Sequence, residues 1–94
     1  MSLPENRIPT HPGEILLEEF LVPMGISQAA LARHLSIPSQ QINAIVHGMR
    51  SITSATAWLL AQAFNTTPEF WMRLQVNYDL VRSRPMKRIE KLVA

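Results

Sequence analysis

The sequence predicts an all-α fold of five helices followed by a short C-terminal tail. Apolar residues recur at three-to-four spacing, which is the period of an amphipathic helix. Each periodic segment begins after a Ser, Thr or Pro and ends at a Gly, Asn or Pro, the residues that start and stop helices. The 94 residues are 47% hydrophobic and include no cysteine, so we expect one domain with an apolar core and no disulfide framework.

The first predicted helix follows residues 1–9, which we expect to be a flexible arm because they lack periodicity. Pro12 falls in the first turn, where its missing amide hydrogen costs nothing. The helix ends around Gly25. We expect three residues to line its inner face: Ile15, Leu16 and Phe20.

The segment 28–48 predicts two helices joined by a tight turn. Ser27 is a good N-cap for the first of them, and Pro38 prevents that helix from continuing. The second helix has either Ser39 or Pro38 as its cap, and it ends before Gly48, which is suited to a left-handed C-cap. This layout is typical of a helix-turn-helix motif that reads DNA.

The second helix of this motif has an apolar face and a polar face. The apolar face is predicted to bury Ile42, Ile45, Val46 and Met49, and the polar face carries Ser39, Gln40, Asn43, Ala44 and His47, with Gln41 at its margin. A carboxamide offers a donor and an acceptor side by side, which matches adenine in the major groove. A solvated polar face would contain the same amides, but the caps, the tight turn and the terminal glycine favour the DNA-reading interpretation.

The helix-turn-helix motif contains no acidic residue. No Asp or Glu occurs between Phe20 and Pro68, whereas Arg33 and Arg50 lie within that interval. A surface without carboxylates favours an approach to phosphate, although chance depletion would give the same pattern.

Two further helices are predicted after the motif. Thr53 caps a helix over residues 54–64 that ends at Asn65, a residue that tolerates a left-handed C-cap. Thr67 caps the last helix, which runs to about residue 82. The inner residues of the earlier helix are Ala57, Leu60, Ala61 and Phe64, and the apolar stripe of the last one is Phe70, Trp71, Leu74, Tyr78 and Val81. The domain thus spans residues 10–82.

The chain carries more apolar surface than a small monomer needs. The candidates for a dimer interface are Trp58, Leu59, Trp71 and Tyr78. The alternative is that these side chains fill the core. The basic tail at 83–94 is too short for a stable isolated helix, so we expect it to be disordered or to dock weakly on a partner.

Several classes of function are disfavoured. His11, His34 and His47 lack metal-ligand spacing, and the chain has neither a glycine-rich phosphate loop nor a nucleophile elbow. No apolar run approaches the length of a membrane span, and the N-terminus does not resemble a signal peptide. We therefore expect a cytoplasmic protein that is not an enzyme, binds no metal or cofactor and has no membrane partner.

Four sequence blocks carry a family resemblance. They are HPGEIL at 11–16, SQAALA at 27–32, NAIVHGMRSIT at 43–53 and TTPEFWMRLQVNYDL at 66–80. Together they resemble the HigA-type (VapI-like) antitoxins of bacterial toxin–antitoxin modules, within the phage-repressor-like helix-turn-helix class. The PEFW-x-x-LQ-x-x-YDL block is the most specific of them. Ser36 and Asn65 depart from the family pattern because glycine is common at both positions.

The resemblance implies a five-helix, phage-repressor-like fold and a homodimer. It also implies binding to a palindromic operator in the protein's own promoter and neutralisation of an mRNA-cleaving (HigB-type) toxin. The implied base-facing residues are Ser39, Gln40, Gln41, Asn43 and Ala44, to which the polar face adds His47, and the candidates for phosphate contact are Ser27, Gln28 and Arg50. No Arg or Lys belongs to the base-facing set, so we expect an A·T-rich operator.

Three alternatives remain at this stage. A stand-alone repressor would have the same fold and DNA chemistry without a toxin. An RNA-binding role fits less well, because A-form RNA lacks the wide major groove that a reading helix enters. A protein–protein adaptor that does not bind DNA is compatible with the modest net charge of +2.

Overall fold

The computed structural model describes residues 10–94, so the predicted arm at 1–9 lies outside it. Those described residues form five helices and no strand, as the sequence predicts. In chain order the helices are α1 (Pro12–Met24), α2 (Gln28–Leu35), α3 (Ser39–Val46), α4 (Ser54–Phe64) and α5 (Pro68–Arg82). Helix α2 packs on α3 and α4, α4 packs on α5, and α1 packs on both α3 and α5.

The helix ends agree with the capping residues of the sequence. Hydroxyl oxygens accept hydrogen bonds from backbone amides three residues ahead: Ser27 from Ala30 at 3.0 Å, Thr53 from Thr56 at 3.3 Å and Thr67 from Phe70 at 3.1 Å. At α3 the cap position belongs to Pro38, and Ser39 is the first helical residue. These local bonds satisfy amides that a helix leaves unpaired at its N-terminus.

Helix α1 differs from the regular helix that the sequence predicts. Its middle part, Leu16–Leu21, is a π-helical turn, and the amide of Val22 donates to the carbonyl of Leu17, five residues back. Residues five apart lie on different faces of a regular α-helix, but the wider turn brings them together. Leu16 and Leu21 are therefore both buried, whereas Ile15 and Phe20 are only half-buried.

The core contains residues from every helix: Leu16, Leu21, Leu31, Ala32, Leu35, Ile42, Ile45, Ile52, Ala57, Leu60, Ala61 and Trp71. The predicted burial of Met49 is wrong, because its side chain is 84% exposed. Helix α3 has already ended, and Gly48 turns the chain through a left-handed conformation (φ 71°) before Met49 is reached. The helical period therefore does not extend to Met49.

Trp71 is a core residue, so its predicted place in a dimer interface is wrong. Its side chain is fully buried, and its ring lies 5.2 Å from the Phe20 ring and 5.1 Å from the Phe70 ring. Its indole N–H donates to the Thr66 hydroxyl at 2.8 Å. A tryptophan can be buried fully when its polar group has an internal partner.

The tail at 83–94 forms no helix, and each of its residues is exposed. No single helix among the described residues is long and apolar enough to cross a membrane, although α1 and α2, bent by 100°, pass that test as a pair. The apolar residues of that pair supply much of the core.

Candidate nucleic-acid interface

The polar face of α3 forms one side of a shallow groove. Gln28 and Ala29, from the start of α2, line this groove together with Ser39, Gln40 and Asn43. The last three side chains are exposed, as predicted, and they lie in the first two turns of α3. The N-terminal part of a reading helix is the part that meets base edges.

Asn43 is held in place by Gln28. Its Nδ2 atom donates to the Gln28 Oε1 atom at 3.1 Å. This bond leaves the side-chain oxygen of Asn43 (Oδ1) and one hydrogen of its Nδ2 atom available. These are the two groups that a bidentate contact to adenine uses. The structure thus brings the predicted phosphate-contacting residue Gln28 next to the predicted base-facing residue Asn43.

Gln41 does not belong to this exposed face. Its side chain is half-buried, and its Nε2 atom donates to the Thr56 hydroxyl on α4 at 3.5 Å. Thr56 itself is buried. In this structure the Gln41 side chain therefore links α3 to α4, and its base-facing role stays a prediction.

The remaining predicted contacts lie towards the C-terminal end of α3 and at the start of α2. Ala44 is half-buried, and His47 is exposed with its Nδ1 atom 2.8 Å from the backbone carbonyl oxygen of Asn43. Arg50 is exposed in the loop that follows α3, and Ser27 is exposed at the start of α2. The DNA contacts of these four residues remain predictions.

Close backbone contact with α1 fixes the position of α3. A Cβ atom added to Gly13 would lie 1.7 Å from the carbonyl oxygen of Ile45. No side chain fits in that space, so glycine is required where α1 crosses α3. In the sequence this stretch indicates a helix start and forms part of the HPGEIL block, and nothing local in it reveals the contact with Ile45.

His11 has a structural role that the sequence did not predict. Its Nδ1 atom accepts a hydrogen bond from the Gly13 amide at 2.9 Å and so caps α1. Its ring, 8% exposed, meets the Tyr78 ring edge-on at 4.8 Å. Burial lowers the pKa of His11 below its ordinary value, and Asp79 partly opposes this shift while Arg82 adds to it. The capping role requires the neutral form, because a protonated Nδ1 cannot accept.

A buried glutamine holds the loop after the reading helix. Gln75, on α5, is 3% exposed, and its Oε1 atom accepts from the Ile52 amide at 2.8 Å. Its Nε2 atom donates to Asp79 at 2.9 Å. The predicted apolar stripe of α5 therefore includes a polar residue with a specific partner on the chain segment that follows α3.

Trp58 and Leu59 are the dimer candidates whose positions fit an interface. Trp58 is 59% exposed, and Leu59 is half-buried beside it on α4. Tyr78 is half-buried, and its hydroxyl accepts from Arg82 at 2.6 Å while its ring packs on His11. Tyr78 is thus engaged within its own chain.

The described residues contain no group of three or more His, Asp or Glu residues placed to hold a metal ion. His34 lines a cavity with Leu59 and Gln62, whereas His47 lines a different one with His11 and Tyr78. His34 and His47 are therefore in different sites.

The comparisons with known proteins agree with this geometry. The helix-turn-helix family model matches residues 17–71, more than half of the chain. Virulence-associated protein I of Dichelobacter nodosus is 46% identical over 83 residues, which is 85% of this chain and 77% of that protein.

Two solved structures are similar over most of the molecule. The antitoxin HigA of Pseudomonas aeruginosa, solved with the higBA promoter, is 45% identical with a TM-score of 0.78, over 80% of this chain and 82% of that one. The antitoxin GraA, solved with its operator, is 37% identical with a TM-score of 0.86, over 99% of this chain and all of that one. The chain belongs to the helix-turn-helix family and, within it, to the group of HigA-type antitoxins and virulence-associated protein I.

Proposed function

We propose that this protein is an antitoxin that binds operator DNA through α3 and represses its own operon. The observation that carries the proposal is the groove in which exposed Gln40 and Asn43 lie beside Gln28. Amide groups at the start of an exposed helix can pair with adenine edges in the major groove. The similarity to HigA and GraA, each solved with promoter or operator DNA, supports the same role.

The antitoxin half of the proposal is the neutralisation of an mRNA-cleaving toxin encoded next to this gene. Its support is the similarity to antitoxins over most of the chain. Two copies of the protein would bind a palindromic operator as a homodimer, because paired reading helices must meet major grooves about 34 Å apart. Both roles are exercised in the cytoplasm, and neither requires the chain to catalyse a reaction.

Two measurements test the two halves separately. A duplex from the promoter upstream of the gene should bind the protein at least about 10³-fold more tightly than an unrelated duplex at physiological salt. Equal affinity for both duplexes would overturn operator recognition.

The second measurement is growth. Expression of the small open reading frame beside the gene should arrest cells, and co-expression of this protein should restore growth. The matched control co-expresses a variant that cannot be translated. Operator binding without any toxic neighbour would leave the stand-alone repressor as the function and refute the antitoxin.

A further inference from the structure

The tail at 83–94 has a charge opposite to that of the rest of the molecule. Its basic residues are Arg84, Lys87, Arg88 and Lys91, and its acidic residue is Glu90, so its formal charge is +3. The whole chain carries +2, which leaves the other residues with −1. The net positive charge of the chain therefore comes from this tail, because six acidic residues outnumber five arginines in the rest of the sequence.

DNA binding depends on such charge. Neutralisation of phosphates by Lys and Arg provides a large share of the affinity of a protein for duplex DNA. Within the acid-free interval around the reading motif, only Arg33 and Arg50 provide permanent positive charge. The amides of α3 can select bases, but they do not supply this electrostatic attraction.

The tail begins next to the reading helix. Helix α5 ends at Arg82, which lines one groove together with Val46, His47 and Gly48 at the end of α3. An extended segment of this length reaches about 40 Å from that point. Duplex DNA carries one phosphate charge per about 1.7 Å of its axis, so many phosphates lie within that reach of a DNA-bound α3.

The tail is also free to bind. Every residue from 83 to 94 is exposed, including Ile89 at 71% and Leu92 at 101%. Its basic side chains and its apolar side chains are interspersed along its length.

We propose that residues 83–94 form an arm that binds the phosphates of duplex DNA beside the site read by α3. This inference rests on the DNA-binding half of the proposed function. The arm binds all sequences alike, because phosphates carry no sequence information. It therefore adds to the affinity and the salt dependence of binding to every sequence, while α3 sets the specificity.

The test uses the full chain with four substitutions, Arg84→Gln, Lys87→Gln, Arg88→Gln and Lys91→Gln. Affinity is measured by fluorescence anisotropy on the promoter duplex and on an unrelated duplex. Each lost phosphate contact lowers the slope of log affinity against log salt by about 0.9. Between about 50 and 200 mM NaCl the natural protein should lose roughly 10²-fold more affinity than the variant on either duplex.

A matched variant keeps the cations and removes the apolar residues: Ile89→Ser, Leu92→Ser and Val93→Ser. It should bind both duplexes with the natural salt slope. An unchanged salt slope in the four-Gln variant would overturn the arm. An equal loss of salt slope in the apolar variant would also overturn it, and would assign the tail to a protein or membrane surface. If the natural protein did not prefer the promoter duplex, operator recognition would fail while the slope comparison still tested the arm.

Discussion

Gln40 is the side chain on which base reading depends most directly. It is exposed in the first turn of α3, whereas Asn43 is partly engaged by Gln28 and Gln41 is turned towards Thr56. Gln40→Ala should weaken binding to the promoter duplex by about 1–3 kcal/mol and leave binding to an unrelated duplex nearly unchanged.

Arg50→Ala is the matched comparison, because it removes a candidate phosphate contact. It should weaken binding to both duplexes and lower the salt slope by about one unit. Anisotropy titrations of the two variants on the two duplexes separate the roles. If Gln40→Ala affected both duplexes equally, Gln40 would not read a base.

A single histidine should make the stability of the fold depend on pH. Burial lowers the pKa of His11 in the folded state below its unfolded value, so the unfolded chain binds a proton more readily. The stabilisation is complete above the ordinary histidine pKa of about 6.5. It is lost as the pH falls from there through the lowered pKa, because the protonated Nδ1 can no longer accept from Gly13.

Thermal denaturation of the natural protein and of His11→Asn between about pH 7.5 and 5 measures this effect. Asparagine preserves a cap acceptor but does not titrate, so the melting temperature of the variant should fall less over that range. The other two histidines, His34 and His47, are unchanged in the variant. Parallel curves would show that His11 does not control the pH dependence.

At the scale of elements, the contact between α1 and α3 should tolerate no side chain. A Cβ atom on Gly13 would collide with the backbone carbonyl of Ile45, which cannot move without shifting the reading helix. Overpacking of this kind costs about 1–3 kcal/mol or more. Gly13→Ala should therefore lower the melting temperature by roughly 10 °C or more in a domain of this size.

Gly25→Ala is the matched control for Gly13→Ala. Gly25 has no atom within 4 Å of an added Cβ, but its φ of 65° disfavours a side chain. It should cost only the conformational penalty of about 1–2 kcal/mol. A Gly13→Ala variant that melts no lower than Gly25→Ala would mean that α1 can move away from α3 freely.

The elements differ in how far the sequence predicts them. The caps at Ser27, Thr53 and Thr67 were predictable, because each cap acts on an amide three residues ahead. The π-helical turn of α1 was not, because it brings Leu21 into a core that residues from all five helices form. In the candidate site, the polar face of α3 followed from helical period, but the turn of Gln41 towards Thr56 depends on the neighbouring α4.

At the scale of the whole molecule, α1 and α5 together hold the reading helix from behind. His11, which caps α1, meets Tyr78 on α5, and Gln75 on α5 binds the segment after α3 through Ile52. This arrangement explains why the apolar pattern of the sequence assigned Trp71 to a dimer interface although it is a core residue. Side chains such as Trp71 and Tyr78, which appear as surplus apolar surface along one helix, are used to join helices that are far apart in the chain.

Trp58 is the exposed residue that a homodimer would most readily cover. It is 59% exposed on α4, beside half-buried Leu59, and large exposed aromatic surfaces are typical of interfaces. The natural protein should have a dimeric mass by light scattering, and Trp58→Asp should be monomeric because the interface would then bury an unpaired charge.

The dimer also predicts a link between Trp58 and DNA binding. A monomer presents one reading helix instead of two, so Trp58→Asp should bind a palindromic promoter duplex far more weakly while its circular dichroism spectrum remains helical. Val22→Asp on α1 is a suitable control, because Val22 is exposed to the same extent, 61%. It should remain dimeric. A dimeric Trp58→Asp variant would mean that the dimer interface lies elsewhere. A monomeric natural protein would exclude the dimer.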